Sequence, residues 1–105
     1  MSLNVQIIQP PEILDGTTAA DLQDAVTQAL NVSATVILID CQTVKYMDSS
    51  GLGALVLALK MCRAQGCRFC LCAINQQVDT LFELTDTHQV FDIYPDRTAF
   101  EVAIA

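Results

Sequence analysis

The run Thr35-Val36-Ile37-Leu38-Ile39-Asp40 is apolar at consecutive rather than alternate positions and rich in β-branched residues. Successive side chains of a strand point to opposite faces, so this run needs cover on both sides, the condition of a parallel sheet with helices packed over it. Arg68 to Ile74 is a second run of this kind. The segments around these runs have helical spacing. Leu22, Ala25, Val26, Ala29 and Leu30 form one apolar stripe, with Thr17 or Thr18 as the cap and Asn31 to Ser33 as the end. A second helix is predicted from about Ser50 to Gln65, stopped by Gly66, with Lys60 and Arg63 in its last turns matching the helix dipole. Asn75 caps a third, in which Val78, Leu81, Phe82 and Thr85 share a face. Asn4 to Gln9 reads as a strand halted by Pro10-Pro11. Glu12 to Leu14 resumes it briefly, and Asp15-Gly16-Thr17 turns the chain. Val90 to Tyr94 is a short strand, and Pro95-Asp96 opens a last helix through Phe100 and Val102. The alternation predicts one α/β domain over residues 1–105, with a mixed, mostly parallel sheet of four to five strands and about four helices.

Composition narrows the class of function. With 52% apolar and 16% charged residues the chain has the means to build a core, which argues against disorder. A formal net charge of -7, with five basic residues, removes the electrostatic footing for nucleic acid or an anionic membrane. The longest apolar run, Gly51 to Leu59, is too short to span a bilayer, and the N-terminus has no basic and apolar leader pattern. Five cysteines (Cys41, Cys62, Cys67, Cys70 and Cys72), an odd count in apolar surroundings, point to reduced thiols and a cytoplasmic location.

The segment Asp48-Ser49-Ser50-Gly51-Leu52-Gly53 joins a loop to the second helix. A hydroxyl there lies at the positive end of a helix, where a phosphate is electrostatically favoured. Ser49 or Ser50 is expected to serve as N-cap, and Gly51 and Gly53 to leave the backbone open to another molecule. Two glycines at a helix start, each costing up to about 1 kcal/mol against alanine, call for a reason beyond capping. The helix behind is apolar nearly all round: Leu52, Leu55, Val56 and Leu59 on one face, Ala54, Leu57, Ala58 and Met61 on the others. A helix outside a small sheet buries one stripe, so the remainder is expected to form a docking face, with Met47, Leu52 and Val56 as contacts. Phosphate on Ser49 would bring roughly -1.5 to -2 charge into that face, beside Asp48, and oppose docking without unfolding the chain.

At these residues the chain resembles a known family. Tyr46-Met47-Asp48-Ser49-Ser50-Gly51-Leu52-Gly53 is similar to the signature of STAS domains, specifically the bacterial anti-sigma factor antagonists. Ile13-Leu14-Asp15 with Thr18 to Leu22, Val36 to Asp40, Cys72 to Ile74 and Val78 to Leu84 extend the likeness over about residues 12–100. The resemblance implies a non-catalytic protein that binds an anti-sigma factor, itself a serine kinase, and so regulates transcription. It implies phosphorylation of Ser49 by that kinase, release of the partner, and restoration by a serine phosphatase. Asp15 matches an acidic position near the modified serine, and Ser50, Gly51 and Gly53 complete its neighbourhood. Relatives open with a full two-strand hairpin, which Pro10-Pro11 interrupts here. The implied protein takes no cofactor and is a monomer or weak dimer. An interaction module in another signalling assembly is the alternative within the family.

Two other classes fit less well. Cys67 and Cys70 have a spacing that zinc sites use, but Cys70 and Cys72 fall on one strand face and Cys67 on the other, so convergence on a metal is awkward and buried thiols are the better account. Ser49 as a hydrolase nucleophile lacks the glycine two residues before it that a nucleophile elbow needs, and the only histidine, His88, reads as a solvated loop residue.

Overall fold

A computed structural model describes residues 3–105. The elements run β1 (Val5–Ile8), β2 (Ile13–Leu14), α1 (Ala19–Asn31), β3 (Val36–Asp40), β4 (Tyr46–Met47), α2 (Ser49–Ala64), β5 (Arg68–Cys72), α3 (Gln76–Leu84), β6 (Asp92–Tyr94) and α4 (Arg97–Ile104). Four strands form one sheet in the order β1-β3-β5-β6, and β2 with β4 forms a second. Every ladder among the described residues is parallel.

The doubly apolar runs sit where their composition requires. All five residues of β3 are buried, and β5 is buried from Phe69 to Cys72. On one face Ile37, Ile39, Phe69 and Leu71 meet Leu22 and Val26 of α1, Leu55 and Ala58 of α2, and Val78 and Phe82 of α3. On the other, Val36, Leu38, Cys70 and Cys72 are covered by Phe100 of α4. Alternation along each strand therefore divides the core into a thick layer under three helices and a thin one under a single helix.

The helix signals are used as the sequence suggests, with exceptions. Asn75 caps α3 by accepting from Val78 N–H, and Asp96 caps α4 by accepting from Ala99 N–H. Gly66 follows α2 at φ 70, the left-handed conformation that favours glycine. Thr18 occupies the N-cap position of α1, but its hydroxyl makes no cap; it donates to Ile13 O at 2.8 Å and accepts from Asp15 N–H. β4 was not anticipated. Two residues give no periodicity to read, and its ladder to β2 (Ile13↔Tyr46, Leu14↔Met47) is a long-range pairing. His88 is half-buried rather than simply solvated: Nε2 lies 2.7 Å from Asp79 Oδ1, and its ring meets Phe82 edge-on.

All five cysteines are buried free thiols, Cys41, Cys62 and Cys67 in the thick layer and Cys70 and Cys72 in the thin one. Burial pushes the thiols of Cys41, Cys62 and Cys70 up to about 12 and that of Cys72 to about 11. An unfolded chain ionises them near 9.0. Above that pH the unfolded state sheds protons that the folded state retains, so stability is full below pH 9 and falls as pH rises toward 12. The expected result is a melting temperature that is flat through neutrality and drops through this alkaline window. Substituting Cys41 and Cys62 by Ala should flatten the drop, as read by thermal unfolding at fixed ionic strength.

Candidate functional site

The loop and first turn of α2 are fixed from three directions. Asp48, in extended conformation at the N-cap, accepts from Gly51 N–H through Oδ1 at 2.9 Å. The cap is therefore Asp48, not Ser49 or Ser50. Aspartate and serine cap about equally well, and the residue one step earlier takes the role. Both serines are exposed, and no side-chain hydrogen bond among the described residues engages either hydroxyl. Ser49 thus stands as the first residue of a 16-residue helix with its hydroxyl free.

Beneath the turn, Gly51 is buried against the chain itself. A Cβ there would lie 2.1 Å from Leu14 O and 3.0 Å from Met47 Cγ. Its role is close packing of α2 on the β2–β4 pair, not the open backbone the motif suggested. Gly53 differs: it is exposed, with nothing within 4 Å of an added Cβ. Gly53→Ala is accordingly expected to stabilise the fold by up to about 1 kcal/mol, visible as a rise in melting temperature of roughly 4–8 °C.

Behind the turn, one side chain holds β4. Gln77 of α3 accepts from Met47 N–H through Oε1 at 2.9 Å and donates through Nε2 to Met47 O at 2.7 Å. Asn75 Nδ2 adds a bond to Val44 O at 3.0 Å. Gln77 stands in for a neighbouring strand, a contact to which nothing local in the sequence points.

Beside the turn lies the β2–α1 loop. Asp15 Oδ1 accepts from Thr17 N–H at 2.8 Å and from Thr17 Oγ1 at 2.6 Å. These bonds hold its carboxyl below the usual range, so Asp15 stays ionised. A Cβ on Gly16 would lie 3.7 Å from Cβ and Oγ of Ser50, which places this acidic turn against the second serine of the pair.

The expected contact residues divide by burial. Met47 is 0% and Leu52 6% exposed, both in the thick core layer, and neither side chain presents surface. A helix apolar on every face does not reveal which face turns inward. The outward stripe of α2 is Ser49, Gly53, half-buried Val56 and Leu57, the last 49% exposed, followed by Lys60. Tyr46, 48% exposed, lies just before the motif.

Two surface cavities, about 400 and 470 Å³, lie elsewhere, between the C-terminal ends of α1 and α2 and along Gln76, Leu81 and Leu84 of α3. Among the described residues no group of three or more His, Cys, Asp or Glu is placed to hold a metal ion. No helix among the described residues is long and apolar enough to cross a membrane.

Fold and site together define a small parallel α/β domain that presents a free serine pair at a helix entrance. The chain belongs to the STAS domain family, whose family model matches residues 2–99. It is 31% identical over 80 residues to the anti-sigma-B factor antagonist of Listeria monocytogenes, a match spanning 76% of this chain and 70% of that protein. The corresponding Listeria innocua protein matches equally. Among solved structures, a candidate anti-sigma factor antagonist from Thermotoga maritima superposes with a TM-score of 0.81 at 26% identity, covering 92% of this chain and 86% of that one. The anti-sigma factor antagonist SpoIIAA in its unphosphorylated form gives 0.77 at 17% identity, covering 97% and 90%, a likeness of fold.

Proposed function

We propose that this chain is an anti-sigma factor antagonist that docks on an anti-sigma factor serine kinase and is released when Ser49 is phosphorylated, a serine phosphatase restoring the docking form. The observation that carries the reading is the free, exposed hydroxyl of Ser49, left available because Asp48 takes the cap. Family membership and the antagonist relatives support the partner class. The existence of the Bacillus relative SpoIIAA in a phosphorylated form supports the chemistry.

In this reading the docking surface is Ser49, Ser50, Gly53, Val56 and Leu57, flanked by Tyr46 and the Asp15–Gly16 turn. Met47 and Leu52 shape it from beneath. The apolar stripe supplies contact area. Asp15 and Asp48 give its upper end a negative rim that a basic patch on the partner would meet. A phosphoryl group bonded to Ser49 Oγ would add charge next to Asp48 in the chain, on the face a docked partner desolvates. The test is capture of partners from the native cell by the unmodified chain, with mass spectrometry of the phosphosite after incubation with ATP. Capture of an anti-sigma kinase with phosphate at residue 49 supports the proposal. A captured kinase that leaves residue 49 unmodified overturns it.

A further inference from the structure

We propose that two copies of this chain pair through the outer edge of β1, antiparallel about a two-fold axis at Gln6, to form one continuous sheet. β1 ends the four-stranded sheet, and among the described residues nothing pairs with its outer side. Asn4 O accepts from Val36 N–H and the register is Val5↔Val36. In a parallel ladder the residue that faces its neighbour does so with both backbone groups, and the next faces away. Gln6 and Ile8 therefore face β3 with Asn4, while the N–H and C=O groups of Val5 and Ile7 point outward, available to another strand.

The usual guards of an exposed edge are missing until Pro10. Residues 3–11 carry no charged side chain, in a chain whose net charge is -7. Leu3 is 60% and Ile7 42% exposed on this edge. The opposite edge, β6, is guarded: Asp92 accepts from Arg68 Nη2 at 2.8 Å, and Tyr94 OH accepts from the same nitrogen at 2.6 Å. Each copy carries the same net charge of -7, so the two fields repel overall, and the uncharged segment 3–11 offers a second copy an approach that brings no acidic side chains together.

The outward residues select the register. Pairing Val5 with Ile7 of the second copy, and Ile7 with its Val5, lets each pair exchange both N–H···O bonds, and Leu3 opposite Gln9 extends the ladder before Pro11, which has no N–H to offer. Gln6 then faces its own copy at the axis as a non-hydrogen-bonded pair, the geometry in which side chains approach most closely. The arrangement is isologous and closes at two copies. It leaves the face at Ser49 free and does not depend on the proposal made for that face.

Sedimentation velocity up to about 1 mM protein, the weak end of measurable association, should show a dimer whose fraction rises with concentration and with added salt, which screens the repulsion between like charges. Ile7→Lys should raise the dimer dissociation constant at least tenfold without loss of secondary structure by circular dichroism. Gln6→Cys should form a disulfide-linked dimer on oxidation, whereas Ile8→Cys, which faces Asn4 of the second copy, should not. Because the native cysteines are all buried, the new thiol is the reporter. Monomer throughout, or equal cross-linking at residues 6 and 8, would overturn the proposal.

Discussion

Ser49→Asp is expected to weaken docking on the anti-sigma partner at least 100-fold while leaving the fold intact. Residue 49 opens α2, where the partial positive charge of the helix end favours an anion by about 0.3–1 kcal/mol, so the free protein should lose no stability. Docking reverses the balance. The carboxylate would be taken from water into an interface beside Asp48 and Asp15, and an unpaired charge buried in this way costs about 3–5 kcal/mol. Two orders of magnitude in affinity correspond to about 2.7 kcal/mol, within that cost. Phosphate, with a larger charge, should act more strongly, and Ser49→Ala should bind as the unmodified chain does but accept no phosphate. Titration calorimetry beside a thermal melt separates the two effects. An aspartate variant that binds as well as Ser49 would refute charge exclusion as the mechanism.

Gly51→Ala should do the opposite, damaging the fold first. The added Cβ falls 2.1 Å from Leu14 O, and because that neighbour is backbone, no rotamer change relieves the overlap. The first turn of α2 must move away from β2. Overpacking of this kind costs about 1–3 kcal/mol and sometimes more. For a domain near this size 1 kcal/mol is roughly 4–8 °C in melting temperature, so a drop of about 10–20 °C is expected. The same methyl at Gly53, two residues on, is expected to stabilise. Thermal unfolding of the pair tests whether the two glycines serve different ends, and a Gly51→Ala melt equal to that of the unmodified chain would refute the packing role.

The fold was legible where composition left a strand no alternative. β3 and β5 are apolar on both faces and could only be central, and the stripe from Leu22 to Leu30 could only face them. Asn75 and Gly66 behave as local chemistry predicts because a cap or a left-handed turn involves only near neighbours. What escaped the sequence depends on distant partners. β4 exists because β2 lies beside it and Gln77, thirty residues on, completes its bonding. The motif at Asp48 to Gly53 stood out in the sequence as a helix entrance, but its division of labour did not. Asp48 competes with the serines for one N–H, Gly51 serves its own chain rather than a visitor, and Met47 and Leu52 turn inward. A helix with apolar residues on all sides hides its orientation until neighbouring helices claim a face, which leaves Val56 and Leu57 outside.

The amide of Gln77 has a further consequence. It neither gains nor loses a proton across the range of pH a cell experiences, and no oxidant of ordinary strength alters it. The ribbon leading to Ser49 is thus moored by a chemically inert clasp, two residues upstream of the hydroxyl. Swings in acidity that reach the surface carboxylates leave that mooring unchanged, so the placement of this hydroxyl is insulated from the weather of its surroundings.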